Sequence, residues 1–142
     1  MENRIKIIVF RIGTQFFCME INAVEGLIFA KDIGTMSSKR TISVNHNIVS
    51  VLDLHKSLKI PPLCSGENMY IVFSSESRRL AVLIDKVETV YEVPYGNLHS
   101  VPTVIQNGEN GIFKNIVVLN ERLIPLIETG KLFRLSSGAD RI

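Results

Sequence analysis

The chain repeats itself, and this constrains its fold more than any single motif does. Shifted by 63 positions, Ile8-Val9-Phe10 falls on Ile71-Val72-Phe73, and Val24-Glu25 falls on Val87-Glu88. At the same shift Asn22 meets Asp85 and Leu27 meets Val90. At a shift of 75, Val51-Leu52-Asp53 with Lys56 falls on Leu126-Ile127-Glu128 with Lys131. A repeated supersecondary unit cannot bury its apolar face alone, so the copies imply two similar half-domains packed on each other. The 142 residues have room for one such pair, which predicts a single domain over 1–142.

The segments between turn signals read as strands. Ile5 to Ile12 is almost wholly apolar and β-branched, and Gly13-Thr14 turns it into Gln15 to Ile21. Asn22 is positioned to cap a short helical turn over Ala23-Val24-Glu25. Lys31 to Lys39 reads as a loop. Thr41 to Val44 and Ile48 to Leu52 form strands around Asn45-His46-Asn47. Asp53 to Leu58 makes one or two helical turns, with Leu54 and Leu58 on one face, ended by Pro61-Pro62. Residues 61–68 are the expected seam between the halves. Met69 to Phe73 and Leu80 to Asp85 form a second hairpin. In Val87 to Val93, strict alternation puts Val87, Thr89, Tyr91 and Val93 on one face. Pro94 to Gly111 is a long polar loop. Ile112 to Leu119 and Leu123 to Ile127 form a last hairpin over Asn120-Glu121-Arg122, and Glu128 to Leu135 a terminal helix. Strands that arrive as hairpins exclude a doubly wound sheet and favour barrels or a sandwich. With the repeat, the expected fold is all-β with short helices, as two small barrels side by side.

Little in the sequence is suited to catalysis. His46 and His55 flank Asp53, but the spacing fits no zinc pattern, and both histidines read as surface residues. Cys18, in the apolar run Phe16-Phe17-Cys18-Met19, reads as a buried free thiol, and Cys64 as a loop residue. A disulfide between them is the less favoured alternative to a reduced, cytoplasmic protein. Glu88 and Glu92 share a strand face, which fits a solvent-facing edge better than an acid–base pair. Gly108-Glu109-Asn110-Gly111 lacks the following helix that would make it a phosphate loop. With 16 basic and 14 acidic residues, and no aromatic–basic interleaving, no nucleic-acid partner is indicated. No apolar run is long enough for direct membrane insertion. No metal or cofactor is expected. A partner-binding groove where the barrels meet is the remaining possibility, lined by Val24, Leu27 and Ile28 from the first copy and Val90, Tyr91 and Val93 from the second.

Several motifs, in order, resemble the CheW-like chemotaxis adaptor family. Val9-Phe10-Arg11-Ile12-Gly13-Thr14-Gln15-Phe16 is similar to its opening hairpin, and Val49-Ser50-Val51-Leu52-Asp53-Leu54 to its strand ending in Asp-Leu. Val82-Leu83-Ile84-Asp85-Lys86-Val87-Glu88-Thr89-Val90 resembles its Val-Asp-x-Val-x-x-Val block. Leu98-His99-Ser100-Val101-Pro102 resembles its apolar-x-x-Pro element, and Ile124 to Leu132 its closing strand and helix. The resemblance implies two five-stranded SH3-like barrels about a pseudo-twofold, the first over about 5–60 with some strand exchange and the second over about 69–127, with the helix over about 128–135. It also implies a non-catalytic adaptor that joins methyl-accepting chemoreceptor tips to the regulatory domain of the histidine kinase CheA, in membrane-associated arrays. Val24 and Glu25 carry over as receptor-contact candidates. Where the family has Asn-Leu-Arg-Gly, this chain reads Ser43-Val44-Asn45-His46. Asn45 and His46 therefore stand at a coupling position without the arginine's fork, and His46 is expected to alter the local backbone. The loop over 31–40 is short for the family. This departure leaves, as alternatives, a divergent scaffold that binds the kinase without ordinary receptor coupling and, from another class, a small metal-dependent hydrolase on a β-barrel.

Overall fold

The computed structural model describes residues 3–33, 41–63, 66–75, 78–100 and 111–136. Within them lie eleven strands. These are β1 (Arg4–Ile12), β2 (Gln15–Glu20), β3 (Val24–Phe29), β4 (Thr41–Val44), β5 (Asn47–Leu52), β6 (Met69–Ser75), β7 (Arg78–Ile84), β8 (Lys86–Pro94), β9 (Leu98–Ser100), β10 (Phe113–Leu119) and β11 (Arg122–Ile127). Helix α1 spans Leu54–Leu58 and helix α2 Thr129–Ser136, and short 3-10 turns cover Ile21–Ala23, Ala30–Asp32 and Tyr95–Asn97. The strands form two curled sheets, in the orders β8-β1-β2-β11-β10-β9 and β3-β6-β7-β5-β4.

The repeat is written into that connectivity. At the two shifts, β6, β7, β3, β4 and β5 correspond to β1, β2, β8, β10 and β11. Replacing each strand of the second sheet by its counterpart gives β8-β1-β2-β11-β10, the order of the first sheet without β9. Each sheet also has its one parallel pairing at the corresponding place, β11 with β2 and β5 with β7. The sheets exchange strands between the sequence halves. Residues 4–20 join 86–127 in one sheet, while 24–84 form the other, so the chain crosses between sheets at 21–23 and again at Asp85.

Three apolar clusters result. Ile8, Phe10, Ile12, Phe17 and Met19 from one sheet meet Ile71, Phe73, Leu80, Val82 and Ile84 from the other in a central core. Ile5, Ile7, Val9, Cys18, Val93, Val117, Ile124 and Leu126 fill the barrel of the six-stranded sheet, named the first barrel from β1 although it combines residues 4–20 with 86–127. Ile42, Val49, Val72 and Ala81 fill the barrel of the five-stranded sheet, residues 24–84, named the second. β1 is covered on both faces, its even residues toward the central core and its odd ones into the first barrel, which explains its unbroken apolar sequence. Phe10 and Phe73, equivalent in the repeat, are both fully buried in the central core. Truncating either to alanine would cost about 3–5 kcal/mol. Helix α2 closes this core with Leu132 and Phe133, the latter edge-on to Phe73 at 5.4 Å.

Local geometry differs from the sequence reading at several points. Asn22 does not cap a helix over residues 23–25. It lies inside the 3-10 turn Ile21–Ala23, and β3 begins at Val24. The alternation expected for Val87 to Val93 is broken by a bulge opposite Val9 and Phe10. Because a bulge adds one residue to one strand, it reverses the facing beyond it. Val87 therefore packs on the central core, Tyr91 and Val93 point into the first barrel, and Thr89 is exposed. Part of the supposed loop after Pro94 is strand β9, paired with β10. The rest of that loop, over 101–110, and Cys64 lie outside the described residues.

Candidate functional site

The bulge has a counterpart in β3, between Val24 and Gly26 opposite Phe73 and Val72, at the position the 63-residue shift predicts. Each bulge carries a glutamate that meets an arginine: Glu88 with Arg11 at 2.7 Å and Glu25 with Arg79 at 2.9 Å. Both pairs are at least partly exposed, and contribute little stability. Their placement still matters, because β3 and β8 are edge strands whose bulges turn the following residues. Past the bulges, Leu27 pairs with Ile71, Phe29 with Met69 and Val90 with Ile8. Those partners all belong to the central core or pack against it. Directly opposed residues share a sheet face, so Leu27, Phe29 and Val90 lie on the faces that meet between the barrels. There they form an uncovered rim, with Leu27 at 40% and Val90 at 47% exposure.

A second pair of exposed apolar residues also obeys the repeat. The β4–β5 turn is Asn45-His46, with φ of 50° and 70°, and the β10–β11 turn is Asn120-Glu121, with φ of 50° and 64°. Two central residues at positive φ match the twist of flanking strands in a tight hairpin. Two residues further along stand Ile48, 79% exposed, and Leu123, 67% exposed. These positions correspond at the shift of 75. Each hairpin tip thus presents one large aliphatic side chain to solvent.

The candidate residues from the sequence divide accordingly. Val24 is half-buried against the central core, Glu25 is exposed and paired with Arg79, and Asn45 and His46 are exposed on the hairpin tip. Leu27 and Val90 are on the rim. Ile28 packs against the interior of the second barrel, Tyr91 against that of the first, and Val93 is sealed within it. Val93 therefore lines no groove: the bulge turned it inward. His46 does not distort its hairpin. It adopts the left-handed conformation that a glycine would hold without strain, and the two-residue turn keeps its form. Phe29, Ile48 and Leu123 went unnoticed in the sequence, because apolar residues within strands read as core by default. For Ile48 and Leu123, which coincide at the shift of 75, that recurrence was the available signal; Phe29 falls on Glu92 at the shift of 63 and gave none.

The interior holds a polar cluster that spacing alone did not reveal. Asp85, 2% exposed, stands where the chain passes from β7 to β8. Its carboxylate accepts the Gly13 N–H from the β1–β2 turn and the Leu63 N–H at 3.0 Å. It also lies 2.7 Å from His55 Nε2, which carries the proton because a carboxylate can only accept. His55 is thus buried, contrary to its surface reading from sequence. α1 turns Leu54 into the central core and sets the imidazole beside a partner 30 residues away. Burial pushes the Asp85 carboxyl upward, but the bonds from Gly13, His55 and Leu63, with the positive field of His55, hold it below the ordinary carboxylate value. The other face of His55 sees Asp53, with Nδ1 3.7 Å from its carboxylate. Asp53 also caps α1 by accepting the Lys56 N–H at 3.2 Å. His46, on its hairpin tip, does not join this cluster, so the flanking histidines of the sequence do not converge. Among the described residues, no group of three or more His, Cys, Asp or Glu is arranged to hold a metal ion. Cys18 is a free thiol that burial pushes up to about 12, its Sγ 3.6 Å from the Pro125 carbonyl oxygen. Such a thiol is inert at neutral pH. No helix of the described residues is long and apolar enough to cross a membrane.

Comparison with known proteins agrees with this geometry. A search of curated proteins gave no match. Among solved structures, the chain is similar to the scaffolding protein TtCheW from Thermoanaerobacter tengcongensis, with a TM-score of 0.76 at 19% identity over 90% of each chain. That likeness bears on the fold, and it extends to the pair of SH3-like barrels. The family model of the CheW-like domain matches residues 6–137. With nearly the whole chain inside that match and the repeat carried through both sheets, this protein belongs to the CheW-like domain family.

Proposed function

We propose that this chain is a non-catalytic chemotaxis adaptor that links methyl-accepting chemoreceptor tips to the regulatory domain of the histidine kinase CheA. The observation that carries this reading is that, among the described residues, four of the six exposed large apolar side chains fall in repeat-matched pairs, while Phe29 and Tyr95 have the charged counterparts Glu92 and Asp32. Leu27 and Val90 occupy matched places on the rim between the barrels, and Ile48 and Leu123 matched places on the hairpin tips. A protein that needs two docking surfaces gains them directly from a duplicated fold. In this reading Val24 and Glu25, with Asn45 and His46 nearby in function, form the receptor contact, and the protein works in the cytoplasm at receptor arrays.

The test is reconstitution. Purified chain, kinase and receptor cytoplasmic fragments should assemble, and kinase autophosphorylation should rise only when all three are present. Val24→Asp should weaken receptor binding by about tenfold or more while kinase binding persists. Because Val24 also touches the core, the variant's melting temperature must be shown to stay near that of the parent. Undiminished receptor binding in a folded Val24→Asp variant would remove Val24 from the contact. Absence of binding to both kinase and receptor would sink the adaptor reading.

A second reading rests on Asn45. It offers no cationic fork at a position where the family carries arginine, which favours a scaffold that binds kinase without ordinary receptor coupling. Asn45→Arg would then gain receptor-dependent kinase activation that the parent chain lacks.

A further inference from the structure

The polypeptide passes between the two sheets twice, and the two crossings are built differently. At residues 21–23 a single 3-10 turn makes the passage, with Asn22 exposed. At Asp85 the passage is gripped. The Asp85 N–H donates to the Arg11 carbonyl oxygen at 2.9 Å, and the side chain is sealed from solvent. Its carboxylate takes donors from three separate segments: Gly13 in the β1–β2 turn, His55 in α1, and Leu63 in the connector beyond α1. The connector also seats directly on that turn. A Cβ at Gly13 would collide with Ile60 Cγ2 and stand 2.9 Å from the Pro61 carbonyl oxygen. The Ile60 N–H in turn donates to the His55 carbonyl oxygen at 2.9 Å, so α1 and the connector form one folded-back strap.

The sequence repeat shows that this grip is not a by-product of the duplication. The counterparts of Asp85 and His55 are Asn22 and Gly130, and neither can supply the charge or the ring. The symmetric core therefore carries one asymmetric fastening.

We infer that the Asp85 carboxylate is a latch: it holds the α1–connector strap, residues 54–63, onto the β1–β2 turn, and its release opens the strap while both barrels stay folded. The strap contributes Leu54 and Ile60 to the central core, but the strands that enclose the barrels close without it. Local openings of this kind are set by the bonds of the opening segment and not by global stability. The latch fastens one of the two crossings between the sheets. Changes at the first hairpin and at α1 are thereby made interdependent.

Amide hydrogen exchange in the intact chain tests this. The reporters are the Gly13 and Leu63 amides, and the references are Val72 and Ala81, which lie in the second barrel. Three variants are compared: Asp85→Asn, His55→Leu and His55→Gln, the last keeping a side-chain N–H donor. In Asp85→Asn and His55→Leu, Gly13 and Leu63 should exchange at least about tenfold faster relative to the references. His55→Gln should stay within about threefold of the parent chain. If Gly13 and Leu63 accelerate only in step with Val72 and Ala81, the cluster supports overall stability and there is no latch. If His55→Gln behaves as His55→Leu, the bond to Asp85 is not what holds the strap. Should Asp85→Asn fail to fold, the contrast between the two His55 variants still decides the matter.

Discussion

Replacing Gly13 by alanine tests the junction between the sheets most directly, because two separate costs meet at one atom. Gly13 has φ of +62°, in the left-handed region. Holding an alanine there costs about 1–2 kcal/mol. The new Cβ would also overlap Ile60 Cγ2 and crowd the Pro61 carbonyl oxygen at 2.9 Å. Overpacking of this kind costs about 1–3 kcal/mol, and backbone atoms on one side limit the relief. The sum is about 3 kcal/mol, a large fraction of the roughly 5–15 kcal/mol that domains possess. For a chain of this size each kcal/mol corresponds to about 3–4 °C, so the melting temperature should fall by about 10 °C. Gly26 is the internal control. A Cβ there meets nothing within 4 Å and its φ is not positive, so Gly26→Ala should change stability by no more than about 0.5 kcal/mol. Ile60→Ala removes the colliding methyl. Combined with Gly13→Ala, it should cost less than the sum of the single changes by about 1 kcal/mol. Urea unfolding of the four variants measures all three quantities. A loss below about 1 kcal/mol for Gly13→Ala, or simple additivity with Ile60→Ala, would refute the close seating of the turn on the strap.

Other consequences are equally open to measurement. Asp85 has its folded value held below the ordinary 3.8. Its contribution is therefore fully present above the ordinary value and lost as pH falls through the lower folded one. The urea midpoint of the parent chain should drop toward that of Asp85→Asn between about pH 5 and pH 2, and a gap that stays constant across that range would contradict this assignment. Cys18, with its thiol pushed up to about 12 and buried, should resist a disulfide reagent in a folded Cys64→Ser background and react once urea unfolds the chain. Ile48→Asp and Leu123→Asp alter side chains that are 79% and 67% exposed, so each should shift stability by no more than about 0.5 kcal/mol. If the hairpin tips dock partners, at least one of the two should weaken kinase or receptor binding by about tenfold or more. Full binding by both variants would exclude the tips.

The repeat made the architecture legible because it acts through strand order. Strands of β-branched residues, punctuated by Gly13 or by asparagine at a turn, are local signals, and they placed most elements within a residue or two. The bulges were not legible. A period-2 reading of Val87 to Val93 has no means of counting an extra residue whose insertion is decided by the partner strand β1. That single uncounted residue sent Val93 into a barrel and left Val90 on the rim, so the groove candidates were partly exchanged with core residues. Which strands share a sheet was also hidden. Crossing from β2 to β3 and from β7 to β8 depends on what fills the space between the sheets, and no local pattern records it.

The residues that escaped the sequence reading most completely are those that break the symmetry. Aligning the two copies draws attention to what they share, such as Phe10 with Phe73 and the bulge glutamates Glu25 and Glu88. It passes over Asp85, because its counterpart Asn22 is close in size and polarity. Yet in the fold these two residues are opposites: one is sealed among three donors, the other faces solvent. A carboxylate with so few charged neighbours is tolerated inside a protein only when its lone pairs are taken up by fixed donors. Those donors come from residues 13, 55 and 63, all of which must be in place before the charge is stabilised. The Asp85 charge is therefore stabilised only when all three segments are docked as they are in this fold. A strap docked out of register would leave an unpaired buried charge, at a cost of about 3–5 kcal/mol.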